Sequence, residues 1–437
     1  MKTINEKIKN DVLKALDSLQ EECVQIASDT VRIQSINPEY EGVVYDEVVG
    51  GETKVNEYYK PIFADMGLET DLWEGQEGRS NLVGLHRGIG KGKSLILNGH
   101  VDVVPPGSDE AWTETDPWSG DVKDGRIWGR GSVDMKGGNA AAIIALKAVL
   151  KAGYKPKGDV ILEMVIGEEN GSEVGTWSAI QRGYKADGTI VVEPSMVASY
   201  SNKMMLCPAS PGVFYMRVTV PGKATHVLCR AEMIRAGGRG DEIGVNSIEK
   251  SLIVLEAVKK LEEEWGQTKR HPLFNPGHFT LNPGVITGGP AGAFVISEKS
   301  TIDYAIWHHP AEKPSQVKKE IEDQIKRFAQ TDRWLRKNPP SIEWLIHIEP
   351  YDTPRDALIC RAIEDAYTEA LNSEPYVHAF PATCDGGLFH RAGMDVVVFG
   401  PGDLLKAHAA NENIMIQEML DAARVYALTI LQWCGVQ

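Results

Sequence analysis

The order in which strand-like and helix-like stretches follow one another constrains this chain most tightly. Up to about residue 208 the two alternate. "KSLILNGHVDVV" reads as strand, "GGNAAAIIALKAVLKAG" as a helix closed by Gly153, and "DVILEMVIG" as strand; "GSEVGTWSAIQRG" reads as helical and "GTIVVE" as strand. Apolar strands separated by helices predict a mostly parallel sheet flanked by helices. From Ala209 the rhythm becomes β-α-β-β-α-β, running from "GVFYMRVTV" through "NSIEKSLIVLEAVKKLEEEW", "HFTLNPGVITG", "AFVISEKSTIDYAIW" and "PSQVKKEIEDQIKRFAQ" to "SIEWLIHIE". That order matches the split βαβ, ferredoxin-like unit. The first rhythm then resumes in "RDALICRAIEDAYTEAL", "MDVVVFG" and the closing helix "ENIMIQEMLDAARVYALTILQWC". The expected fold class is α/β. A domain made of residues 1–208 and 350–437 is interrupted by a smaller βαββαβ domain at 209–349.

A chain of 437 residues exceeds one ordinary core, which agrees with two domains. Its formal net charge of −15 argues against a nucleic-acid or anionic-membrane surface and favours a small-molecule partner. The N-terminal stretch "MKTINEKIKNDVLKALDSLQEECVQIA" reads as one amphipathic helix and has neither the apolar core nor the cleavage site of a signal peptide. No stretch reaches the roughly 18 apolar residues of a membrane-spanning helix. The six cysteines, at 23, 207, 229, 360, 384 and 434, form no CxxC pair. They are expected as reduced thiols of a cytoplasmic protein.

Within "LILNGHVDVV", Asn98, His100 and Asp102 fall on one face of a strand. A carboxylate beside an imidazole can fix its tautomer and leave the other nitrogen for a metal. Alone, the pair reads as a structural hydrogen bond at a strand end. Four further segments change that. "GRGSVDMKGG" puts Asp134 in a glycine-rich loop ahead of a helix, and "MVIGEENGS" puts Glu168 and Glu169 directly after an apolar strand. "TIVVEPS" ends the next strand on Glu193, and "GPGDLLKAHAANENI" puts His408 in a loop before the last helix. Open α/β sheets bind ligands outside the carboxyl ends of their strands. Two histidines and three carboxylates, with a fourth acid spare, suit two divalent ions that share one carboxylate. Imidazole and carboxylate donors without thiolate fit catalytic zinc, with cobalt or manganese as alternatives.

The stretches "GHVDVVPPG", "GRGSVDMKGG", "GEENGSEVGT", "VVEPS", "NPGVITGG" and "FGPGDLLKAHAANENI" occur in the order in which the M20 metallopeptidase family has them. The chain resembles that family, which includes acetylornithine deacetylase, succinyl-diaminopimelate desuccinylase, aminoacylase-1 and carboxypeptidase G. The resemblance implies that Asp134 bridges two metals, with His100 and Glu193 on one and Glu169 and His408 on the other. It implies Glu168 as general base and Asp102 as the residue that orients His100. The divided domain becomes the catalytic domain and the insert a lid and dimerisation domain of a homodimer. There "VPGKATH" aligns His226 with a histidine that stabilises the oxyanion in the opposite subunit, and "GVNSI" aligns Asn246 with a substrate contact.

Two departures bear on substrate. Members acting on N-acyl amino acids carry an arginine in a "D-x-R-x-x-P" segment; here "DYAIWHHP" has Trp307 at that position. "CDGGLFH" has Gly387 where some desuccinylases carry arginine. A tryptophan offers a flat apolar face rather than a charge fork. The expected function is metal-dependent hydrolysis of an N-acyl or N-formyl amide, with an aromatic or heterocyclic substrate that lacks the usual carboxylate. Deformylation of an N-formylaminopyrimidine, an activity of this family, fits. His308, His309 and Arg391 remain as nearby cations for a carboxylated substrate. A metallopeptidase and a succinyl-diaminopimelate desuccinylase are the alternatives.

Overall fold

The computed structural model describes residues 4–171, 173–290 and 292–437. The chain divides into two compact units, one of Met1–Ser210 with Tyr351–Gln437 and the other of Pro211–Pro350.

In the first unit six strands form the central sheet: β1 (Glu69–Gln76), β2 (Arg79–His86), β3 (Leu95–His100), β4 (Val160–Val165), β5 (Gly188–Val191) and β6 (Val396–Val398). Their order across the sheet is β1-β2-β4-β3-β5-β6. The pairs β3·β4, β3·β5 and β5·β6 are parallel, whereas β1·β2 and β2·β4 are antiparallel. Alternate side chains feed two cores, as the pleat requires. Leu95, Leu97, Leu162 and Val397 pack against the helices Glu6–Asp17, Gln20–Val31, Gly137–Lys151 and Ile416–Trp433. Ile96, Ile161, Val191 and Val398 pack on the other face with Ile180, Tyr351 and Phe389. The α/β class, with a central sheet flanked by helices, is therefore observed.

The Gly137–Lys151 helix runs beneath β3 at close range. A Cβ at Gly99 would stand 2.0 Å from Asn139 Oδ1, so a larger residue there would displace the Asn139 side chain. Asn139 uses the approach to donate to the His100 carbonyl at 2.7 Å. Leu162 lies at the centre of β4, fully buried. Leu162→Ala is expected to cost about 2–5 kcal/mol, read as a lower midpoint of denaturant unfolding.

Three local expectations are corrected. The N-terminal stretch forms two helices, Glu6–Asp17 and Gln20–Val31, because Leu19 leaves helical geometry at φ −114°, ψ 7°; the expected helix also began in residues outside the described ones. "GSEVGTWSAIQRG" is helical only over Thr176–Gln181. Gly171 at φ 114° and Gly175, whose Cβ would meet the Ile166 carbonyl at 2.0 Å, flank Glu173 and Val174, which lie in turns. β3 ends at His100, so Asp102 lies beyond the strand.

The second unit has a four-stranded antiparallel sheet in the order Leu281–Gly288, Lys299–His308, Gly212–Pro221, Ser341–Ile348. Its helices Ser247–Thr268 and Pro314–Ala329 pack together, with Val254, Val258, Leu261, Val317 and Ile321 buried. Among the described residues no helix is long and apolar enough to cross a membrane.

Candidate metal centre

Parallel strands place their carboxyl ends along one edge of a sheet, and the polar residues gather there. His100 ends β3, the Glu168–Asn170 turn follows β4, Glu193 follows β5, and the loop bearing His408 follows β6. Asp134 precedes the Gly137–Lys151 helix. His408 sits at φ 60°, a conformation that costs a residue other than glycine about 1–3 kcal/mol and is retained at functional sites.

The structure brings five of these residues into two groups that share Asp134. His100, Asp134 and Glu193 form one; Asp134, Glu169 and His408 form the other; within each group the donor atoms lie within 4.8 Å of one another. His100 Nε2 is 2.9 Å from Asp134 Oδ1 and 3.6 Å from Glu193 Oε1. His408 Nε2 is 3.2 Å from Asp134 Oδ2 and 3.1 Å from Glu169 Oε2. Glu168 belongs to neither group, yet its Oε2 lies 3.9 Å from His100 Nε2.

Asp102 is arranged differently from the expectation. His100 Nδ1 is 2.8 Å from the Asp102 backbone carbonyl, which fixes a tautomer with the proton on Nδ1 and Nε2 turned to the acids. The Asp102 carboxylate stands farther off, at 3.7 Å. It accepts the backbone N–H groups of Glu168 and Glu169 at 3.3 and 3.1 Å instead.

Charge in the centre is out of balance. Burial, with Glu193, Asp385 and Glu169 nearby, pushes the Glu168 carboxyl well above its ordinary range. Burial and the charge of Asp134 raise Glu193 and Glu169 as well. Asp134 goes the other way: burial disfavours its charge, but hydrogen bonds with both imidazoles hold it below the ordinary range. Three carboxylates and two imidazoles form a donor set that divalent cations would complete, with the Glu168 carboxyl beside it, and the O/N chemistry fits zinc, cobalt or manganese.

Glu412, within the quoted "NENI", was not singled out in the sequence. It is buried, and its Oε1 accepts the N–H groups of Val133 and Asp134 at 2.8 and 3.2 Å while Oε2 takes Arg130 Nη1 at 2.5 Å. Glu412 therefore fixes the backbone that presents Asp134. Its partners lie about 280 residues upstream, so no local spacing connects them.

The second unit carries three of the sequence-derived candidates. His226 is exposed, and its Nδ1 accepts the Leu228 N–H at 3.1 Å, which leaves the proton of the neutral ring on Nε2. Asn246 caps the Ser247–Thr268 helix through Oδ1. Trp307 is half-buried, edge-to-face with His278 at 5.9 Å. Gly387 lies buried in the Gly386–Arg391 helix of the first unit.

The model of peptidase family M20/M25/M40 matches residues 96–432. The chain belongs to that family. Membership in M20/M25/M40 makes it a hydrolase of C–N bonds in a metal-dependent group. The chain is 31% identical over 436 residues to the N-formyl-4-amino-5-aminomethyl-2-methylpyrimidine deformylase of Bacillus subtilis, with 97% of each chain covered. The protein of that name from Halalkalibacterium halodurans is 32% identical over 395 residues, covering 87% of this chain and 89% of the relative. Among solved structures of similar fold, the Saccharomyces cerevisiae dipeptidase Dug1p superposes with a TM-score of 0.72 at 14% identity, covering 98% of both chains.

Proposed function

We propose that this chain is a dinuclear deformylase that hydrolyses the formamide of an aminopyrimidine. The observation that carries the reading is the pair of donor groups joined at Asp134, with Glu168 beside them and part of neither. The formyl and pyrimidine parts of the reading draw support from the two deformylases aligned over most of the chain. Trp307 and Gly387, at positions where family members that bind carboxylates carry arginine, favour a substrate without that charge.

In this reading His100, Asp134 and Glu193 hold one cation, and Asp134, Glu169 and His408 the other, with zinc first and cobalt or manganese as alternatives. When bound, the cations polarise the amide carbonyl and make water more acidic. Glu168 accepts a proton from the attacking water. The water oxygen bonds to the formyl carbon, the C–N bond breaks, and Glu168 returns the proton to the departing nitrogen, which yields formate and a free amine. His226, with its Nε2–H available, stabilises the oxyanion. Asn246 keeps Oδ1 as a helix cap and offers Nδ2 to substrate. The insert serves as lid and dimerisation unit of a cytoplasmic homodimer, so that His226 reaches the opposite subunit's centre.

A hydrolysis screen of the zinc-loaded protein tests the reading. The formyl amide of an aminomethylpyrimidine is expected to exceed its acetyl counterpart in kcat/KM by about 100-fold, with chelation abolishing both activities. A preference for dipeptides or for succinyl amides overturns it.

A further inference from the structure

The turn that carries Glu168 and Glu169 is held by more than its own strand. Asp102, fully buried, accepts both backbone N–H groups of the turn. Its Oδ2 also accepts Asn37 Nδ2 at 2.9 Å. The Oδ1 of Asn37 faces Arg79 Nη2 at 3.5 Å. Arg79 is in turn locked to Glu52 by two parallel contacts, Nε to Oε2 at 2.6 Å and Nη2 to Oε1 at 2.7 Å. Both side chains are out of solvent, at 0% and 1% exposure.

The same guanidinium also stands close behind the turn. Gly167, immediately before Glu168, adopts φ 76°, and a Cβ there would come within 3.4 Å of Arg79 Nη2. Arg79 is therefore linked to the turn through Asn37 and Asp102. Gln76 takes its remaining nitrogen at 2.8 Å, so the fork has little freedom.

Physical chemistry gives such a pair little credit for stability. Desolvating two charges costs about what their attraction returns, and apolar replacements of similar volume are often neutral. What a bidentate pair does supply is fixed direction. The geometry points to Arg79 and Glu52 as positioning residues for the carboxylate at Glu168, which they place through Asn37 and Asp102. Neither residue lies in the donor groups. The inference rests on Glu168 being the proton-transfer group.

The test uses the full chain loaded with zinc, assayed on the formyl amide, with thermal midpoint and zinc content recorded for each variant. The first variant is Glu52→Gln. The second is Arg79→Met combined with Glu52→Leu, which removes both buried charges together. Both are expected to lower kcat by about 10–100-fold with KM unchanged, the mark of a lost transition-state interaction. Asn37→Ala, placed midway along the path, is expected to lower kcat similarly, and its combination with the double variant to add little further loss. If kcat of the folded, zinc-loaded variants stays at the parental value while only the thermal midpoint moves, the pair is a brace and the inference falls. Should the pair variants fail to fold, Asn37→Ala alone decides, and parental kcat overturns the inference. Failure of the proposed function shows separately, as full activity in Glu168→Gln.

Discussion

Replacing Glu168 by glutamine is expected to lower kcat by about 10²–10⁴-fold while two zinc ions per chain remain bound. Glutamine keeps the size of the side chain and the backbone N–H that Asp102 accepts; it removes only the ability to take a proton. Both donor groups exclude Glu168, so the ion content has no reason to fall. Its position beyond His100 Nε2, 3.9 Å away, sets it beside the donors without making it one. Elemental analysis and steady-state rates on the same preparation separate the two effects. A variant within tenfold of parental kcat at full zinc content removes the proton-transfer role from Glu168.

The second large effect is expected at Asp134. Each of its oxygens faces a different imidazole, Oδ1 toward His100 and Oδ2 toward His408. Asp134→Asn retains the volume and one oxygen, but loses the charge and the second acceptor. Loss of partners that merely orient ligands costs about 10–100-fold in metal affinity, and loss of a shared donor is expected to exceed that. After dialysis the variant should hold at most one zinc ion per chain and show no measurable turnover. The backbone here is gripped by Glu412, so a collapsed fold is not the expected cause, and circular dichroism checks this. Two ions retained after dialysis would remove Asp134 from the shared position.

The α/β class was legible because β3, β4 and β5 are apolar runs with a strongly apolar helix between them. The β1–β2 hairpin was hidden. β2 is buried along nearly its whole length but opens Arg-Ser-Asn. Most of their partners are distant in the chain: Asn81 meets the Ile166 N–H and the Val174 carbonyl, and Arg79 meets Glu52. The candidate donors stood out because polar residues that end apolar strands have few other uses. The layer behind them did not. Asn37, Glu52 and Arg79 look like ordinary surface residues until the fold buries them, and Asp102 serves the turn with its carboxylate and His100 with its carbonyl, which no spacing reveals.

The donors also follow a schedule set by chain order. His100, Asp134, Glu169 and Glu193 are translated first, then the whole of Pro211–Pro350, and only afterwards Val396–Val398 and His408. A nascent polypeptide on the ribosome thus holds one three-residue group entire and the other lacking its imidazole while the insert emerges. Until the final strand arrives, β5 presents an unpaired edge to the crowded exit site.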